Sequence, residues 1–178
     1  GTAPKYTVIA PLVCFAKNSV IEGCTNYYNV DFTADNKSGE FVALSGLVGA
    51  IINSTIGGES KTQSCANRGF VRTGRISNTA NGGTGMQTAG ICAFMAKAEG
   101  GKLSYCTNYG DIFTEGNGTN RHGPGWLCGY SGASTATWIN CKACVCGGYV
   151  GDYSKYKDDP TSAPDATNEN AFCHANKN

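Results

Sequence analysis

The stretch Leu103-Ser104-Tyr105-Cys106-Thr107-Asn108-Tyr109-Gly110-Asp111-Ile112 decides how this chain folds, because it occurs more than once. Earlier copies read Ser19-Val20-Ile21-Glu22-Gly23-Cys24-Thr25-Asn26-Tyr27-Tyr28-Asn29-Val30 and Gln63-Ser64-Cys65-Ala66-Asn67-Arg68-Gly69-Phe70-Val71. Their shared core is Cys-x-Asn-x-(Gly/Tyr)-x-(Val/Ile). The cysteines fall at 24, 65 and 106, two equal intervals of 41 residues. A decayed fourth copy is expected from Trp138-Ile139-Asn140-Cys141, 35 residues further on. A fixed period of this size marks a repeat architecture.

Working outward, a second pattern interleaves with the first. It reads Pro11-Leu12-Val13-Cys14, Gly46-Leu47-Val48-Gly49, Gly90-Ile91-Cys92-Ala93, Gly125-Trp126-Leu127-Cys128 and Gly148-Tyr149-Val150-Gly151. The two patterns alternate along the chain. Their apolar runs are short, bounded by Gly and Asn, and hold β-branched or aromatic residues, so they read as strands of four to six residues. Cys24, Cys65 and Cys106 hold one place in three repeats and are expected to stack as a ladder of buried, mostly reduced thiols. The Asn two residues on can bond its own backbone. The Gly after that is expected to supply positive φ at a corner. Small residues at 14, 49, 93 and 128 are expected to line a narrow place between sheets.

Short strands joined by corners at a fixed period build a solenoid, each coil burying its apolar face on its neighbours. The expectation is an all-β fold, a parallel β-helix or β-solenoid of about four to five coils. Loops are expected to project from it at 32–40, 72–87 and 113–124. The organisation expected is an N-terminal strand at 1–10 that can serve as an edge or assembly segment, solenoid repeats at 11–151, and a polar C-terminal tail at 152–178. Solenoid ends expose strand edges and need covering.

The alternation of Cys-Thr-Asn-Tyr-Gly-Asp-Ile with Gly-Leu-Val-Gly resembles the GLUG-type repeats of bacterial surface proteins, over about residues 11 to 151. That resemblance implies a β-solenoid in a secreted or cell-surface, adhesin-like protein, and it carries over no catalytic residue. The fourth copy departs from the pattern, with Ala143 in place of Asn and with Cys144 and Cys146 added.

Composition narrows the function. A formal net charge of +1 leaves no basic footprint for nucleic acid. No apolar run is long enough for a membrane helix, so no membrane span is expected. No basic and apolar leader opens the sequence, so no signal peptide is expected in it; if the protein is secreted, residue 1 is expected to follow either a cleavage or an artificial boundary. Ten cysteines in 178 residues favour an oxidising compartment. The sequons at Asn36, Asn53 and Asn117 are candidate glycosylation sites.

Cys141-x-x-Cys144-x-Cys146 with Cys173 can bind zinc in principle, but without a clean second pair the set reads as disulfides fastening the last coil and the tail. No metal site and no cofactor are expected. Only His122 and His174 are present, and no Ser–His–acid set is marked. Asp111, Glu115 and Arg121 read as a solvated loop. Tyr27, Tyr109, Trp126 and Tyr130 are the candidate ligand-binding residues. If exposed they make a platform for sugars or a partner, and if buried they seal the coil. Two functions remain. The first is a non-enzymatic extracellular structural or adhesive repeat protein, including a filament or surface-layer subunit that pairs with itself head to tail. The second is a monomeric glycan- or host-binding module. A polysaccharide-acting enzyme is the least favoured reading.

Overall fold

The computed structural model describes residues 5–32, 40–75, 86–95, 101–115, 125, 127–131, 140–142, 145–146 and 150–152. They form repeated passes of short strands. The first pass runs β1 (Lys5–Ile9), β2 (Val13–Lys17), β3 (Val20–Ile21), β4 (Thr25–Asn26) and β5 (Val30–Phe32). The second runs β6 (Glu40–Ser45), β7 (Val48–Ile52), β8 (Ser54–Ile56), β9 (Cys65–Asn67) and β10 (Val71–Arg75). The third runs β11 (Met86–Ala89), β12 (Cys92–Met95), β13 (Gly101–Ser104), β14 (Cys106–Asn108) and β15 (Ile112–Glu115). Then follow β16 (Cys128–Ser131), β17 (Asn140–Lys142), β18 (Val145–Cys146) and β19 (Val150–Asp152).

Like-placed strands of successive passes pair in parallel. The sheets are β1-β6-β11, β2-β7-β12-β16, β3-β8-β13-β17, β4-β9-β14-β18 and β5-β10-β15-β19. This is the expected all-β parallel solenoid. The sheets of the described residues hold at most four strands each.

Register converts the repeat into a core. Val30, Val71, Ile112 and Val150 pair in one column, and Ile21, Ile56, Leu103 and Cys141 in another. Ala16, Ile51, Met95 and Ser131 form a third. Val71, Ile112, Ile56, Leu103 and Ile51 are fully buried. Each such side chain contributes about 1.5–3 kcal/mol relative to exposure. A slip of one residue would turn each column outward, so the core itself pins the register.

The sheet β1-β6-β11 lies against the sheet containing β7. A Cβ at Gly49 would run into the Val8 side chain and come within 2.6 Å of the Cys14 carbonyl oxygen. The column that must stay small is therefore Cys14, Gly49, Ala93 and Gly129, because Val13 pairs with Val48, Phe15 with Ala50 and Cys92 with Cys128. This corrects the expected set by one residue: Cys128 sits in the inward column of Val13, Val48 and Cys92, and does not share one with Cys14.

A second correction concerns the last repeat. Cys141 pairs with Leu103, while Val145 pairs with Thr107 and Cys146 with Asn108. Cys141 therefore continues the leucine column, and the Thr107–Asn108 positions align with Val145 and Cys146.

Candidate functional site

The corner after each cysteine is built by one residue type. The Asn26 amide nitrogen donates to Asn67 Oδ1 at 2.9 Å, and that of Asn67 donates to Asn108 Oδ1 at 2.8 Å. Each amide also donates to the carbonyl two residues on, those of Tyr28, Gly69 and Gly110, at 2.7, 2.8 and 2.7 Å. All three asparagines are buried. An amide fits because one NH2 group can serve both its own corner and the neighbouring pass.

Glycine follows at 69 and 110 for a reason other than the one expected. The described residues with positive φ are Asn18, Asn53, Tyr105, Gly23 and Gly57. At Gly110 an added Cβ would overlap the Gly69 carbonyl oxygen, and at Gly69 it would overlap that of Tyr28. The passes approach so closely that no side chain fits between them. Tyr28 heads this column and has no described pass before it. Its side chain stands in solvent, 79% exposed.

These corners present an outer wall. Along β9 and β14 burial alternates, with Cys and Asn inward and Ala66 and Thr107 between them half-buried. Alternation carries the next residue outward too. Asn26, Asn67 and Asn108 share one column, so Tyr27, Arg68 and Tyr109 share the next. Tyr27 is 70% exposed and Tyr109 50% exposed. The Arg68 guanidinium carbon lies 4.3 Å from the centroid of the Tyr109 ring. Of the two alternatives for these tyrosines, the structure selects exposure.

The other candidate residues fall elsewhere. Tyr130 lies on β16 and pairs with Phe94, in a different sheet from the β4 strand that precedes Tyr27, and is described by strand position alone. Trp126 lies outside the described residues. Arg68 was missed because it breaks the likeness between Tyr27 and Tyr109. Its signal was the 41-residue interval, which places it midway between them.

Cys65 and Cys106 are direct register partners, and Cys24 precedes the Thr25–Ala66 pair, so the three thiols form the expected column, with Cys65 and Cys106 buried and Cys24, on the first pass, only half-buried. Cys14, Cys24 and Cys65 are free thiols. Burial pushes the Cys65 thiol above its ordinary range. The Cys106 thiol donates to the Ile56 carbonyl at 3.2 Å and that of Cys65 to the Ile21 carbonyl at 3.4 Å. The disulfide candidates Cys144 and Cys173 lie outside the described residues, and Cys141 and Cys146 are described only as strand positions. Among the described residues no group of three or more His, Cys, Asp or Glu could hold a metal ion.

Of the sequons, Asn53 is exposed at φ 43° and donates to Asn18 Oδ1 at 2.9 Å. Asn36 and Asn117 lie outside the described residues, as do Arg121, His122 and His174. Asp111 is half-buried and Glu115 ends β15. Among the described residues, no helix is long and apolar enough to cross a membrane.

Comparison with protein-family models, with curated proteins and with solved structures finds no match for this chain.

Proposed function

We propose that this chain is a non-enzymatic, extracellular adhesive repeat protein of the GLUG-type kind, and that the wall formed by Tyr27, Arg68 and Tyr109 is its glycan-binding surface. One observation carries this reading. Three successive passes present a tyrosine, an arginine and a tyrosine in register, all exposed, with the Arg68 guanidinium lying over the Tyr109 ring. Tyrosine offers an apolar face for the C–H side of a sugar ring and a hydroxyl at its rim. Neighbouring strands stand about 4.8 Å apart, so the three side chains span on the order of 10 Å, a stretch suited to an extended chain of sugars. The test is a polysaccharide-binding screen with the intact chain and with Tyr27→Ala/Tyr109→Ala. Retention that disappears in the double variant, with its unfolding midpoint unchanged, supports the assignment. Retention that survives it places binding elsewhere.

Head-to-tail assembly is the second reading. Of the six large apolar side chains standing exposed among the described residues, Leu12, Phe15, Val20, Tyr27 and Tyr28 belong to the first pass, whose strands are edge strands. Uncovered edges invite pairing. Tyr28 opposes an in-register continuation, because it holds the position of Gly69 and Gly110, where a Cβ meets the backbone of the preceding pass. The wild type is therefore expected as discrete particles in negative-stain electron microscopy, and Tyr28→Gly as a form that associates with rising concentration. Fibres of the wild type at low concentration would reverse the order of the two readings.

A further inference from the structure

The wall carries a charge that no acidic group among the described residues answers, and this names its ligand more closely. Arg72 has Asp31 at 3.9 Å, and Lys102 has Glu59 at 3.1 Å. The Arg68 side chain has no acidic partner among the described residues. Its contact there is the Tyr109 ring, and its backbone N–H donates to the Asn26 carbonyl at 2.8 Å. A guanidinium seated over an aromatic face keeps its N–H fork for a second group, and that fork matches a planar or tetrahedral oxyanion. Thr25 and Thr107 lie on the same outward side, one on each flanking pass, next to Tyr27 and Tyr109. The arrangement is a cation between two aromatic platforms, bordered by hydroxyls.

We infer that this surface binds an acidic polysaccharide, with a uronate carboxylate or a sulfate ester on the Arg68 fork and the adjoining sugar rings on Tyr27 and Tyr109. This rests on the glycan-binding reading above and sharpens it. A net charge of +1 provides no general attraction for polyanions. Selectivity for acid must then be local, and on this wall the cation that supplies it is Arg68. The two tyrosines without Arg68 would hold neutral sugars equally well. Arg68 without the tyrosines would hold any small anion.

The experiment is affinity electrophoresis and titration calorimetry of the intact chain against four probes. These are polygalacturonate, heparin, neutral dextran and polyglutamate. At least one of the two acidic polysaccharides is expected to bind, with affinity falling as salt is raised. Arg68→Gln is expected to weaken that binding by about ten- to a hundredfold. Arg68→Lys, which keeps the charge but loses the fork, is expected to fall between. Arg68 is exposed, and the unfolding midpoints of both variants are measured alongside. Which acid binds identifies the group as carboxylate or sulfate. Dextran binding as tightly as either acid, or Arg68→Gln binding as the wild type does, overturns the acidic assignment and leaves the glycan reading standing. No retention on any polysaccharide overturns both. Polyglutamate bound as tightly as the sugars, with the same loss in Arg68→Gln, would show a bare anion site and overturn the carbohydrate part.

Discussion

Asn67 is the middle rung of the amide ladder, and its truncation is the most exacting test of the reasoning behind the fold. Asn67→Ala removes three hydrogen bonds at once: the one its Oδ1 accepts from Asn26 and the two its amide donates, to Gly69 and Asn108. A hydrogen bond contributes about 1 kcal/mol net, and a buried partner left without its bond costs about 1–3 kcal/mol. Asn26 and Asn108 are both buried, so each is left short in a place water does not reach. The expected loss is about 3–5 kcal/mol. For a chain of this length that corresponds to about 10 °C in melting midpoint. The assay is urea and thermal unfolding followed by far-ultraviolet circular dichroism. Asn53→Ala is the comparison, because the Asn53–Asn18 bond is a single exposed one. Its loss, with alanine forced into positive φ, is worth about 1–2 kcal/mol. Should Asn67→Ala cost no more than Asn53→Ala, the ladder would be an ornament on a core that holds itself together, and the account of the corners would fail.

Two further outcomes follow from the same geometry. Gly110→Ala is expected to cost about 3 kcal/mol because its Cβ meets fixed backbone, more than Gly23→Ala, where positive φ costs about 1 kcal/mol but the space is open; urea midpoints of the two variants give the order, and a reversal refutes the close-approach argument. Cys65 is held protonated by burial in the folded chain, whereas the unfolded chain ionises near about pH 8.5, so stability is level below that pH and falls as pH rises above it. Unfolding midpoints across that range should show a shallower fall in Cys65→Ala, and in thiol labelling at pH 8 exposed Cys14 should react well before Cys65.

The columns were legible in the sequence because a solenoid writes its register into a period. Two equal 41-residue intervals were enough to stack Cys24 on Cys65 on Cys106 and to place an asparagine at each corner. Residue type alone was a poorer guide. Matching small residue to small residue put Cys128 beside Cys14, although a neighbouring sheet demands smallness one position later, at Gly129. Three cysteines crowded into 141–146 offered three alignments, and only hydrogen-bonded register separates them. The glycines at 69 and 110 were identified as necessary, but the need is space between passes, which a single strand of text does not display. Whether Tyr27 and Tyr109 face water depends on which side of the corner the chain turns, and no composition argument reaches that. Arg68 was hidden by its own dissimilarity.

The amide ladder has a consequence for how such a chain can change length. Each rung satisfies its own corner and hands one N–H to the next, so neighbouring passes meet through the same joint at Asn26–Asn67 as at Asn67–Asn108. A whole interval of 41 residues cut out or copied would leave every remaining joint unchanged in kind, whereas a residue inserted between Cys65 and Asn67 would move that amide out of line with Asn26 and Asn108. The joint is thus tolerant of whole-pass edits and intolerant of an insertion at the rung itself, while β10 takes up an extra residue in its register shift between Thr73 and Arg75. The chain's reach can be set by counting passes, and each added pass would carry one more outward position beside Arg68 on which a different ligand preference can be written.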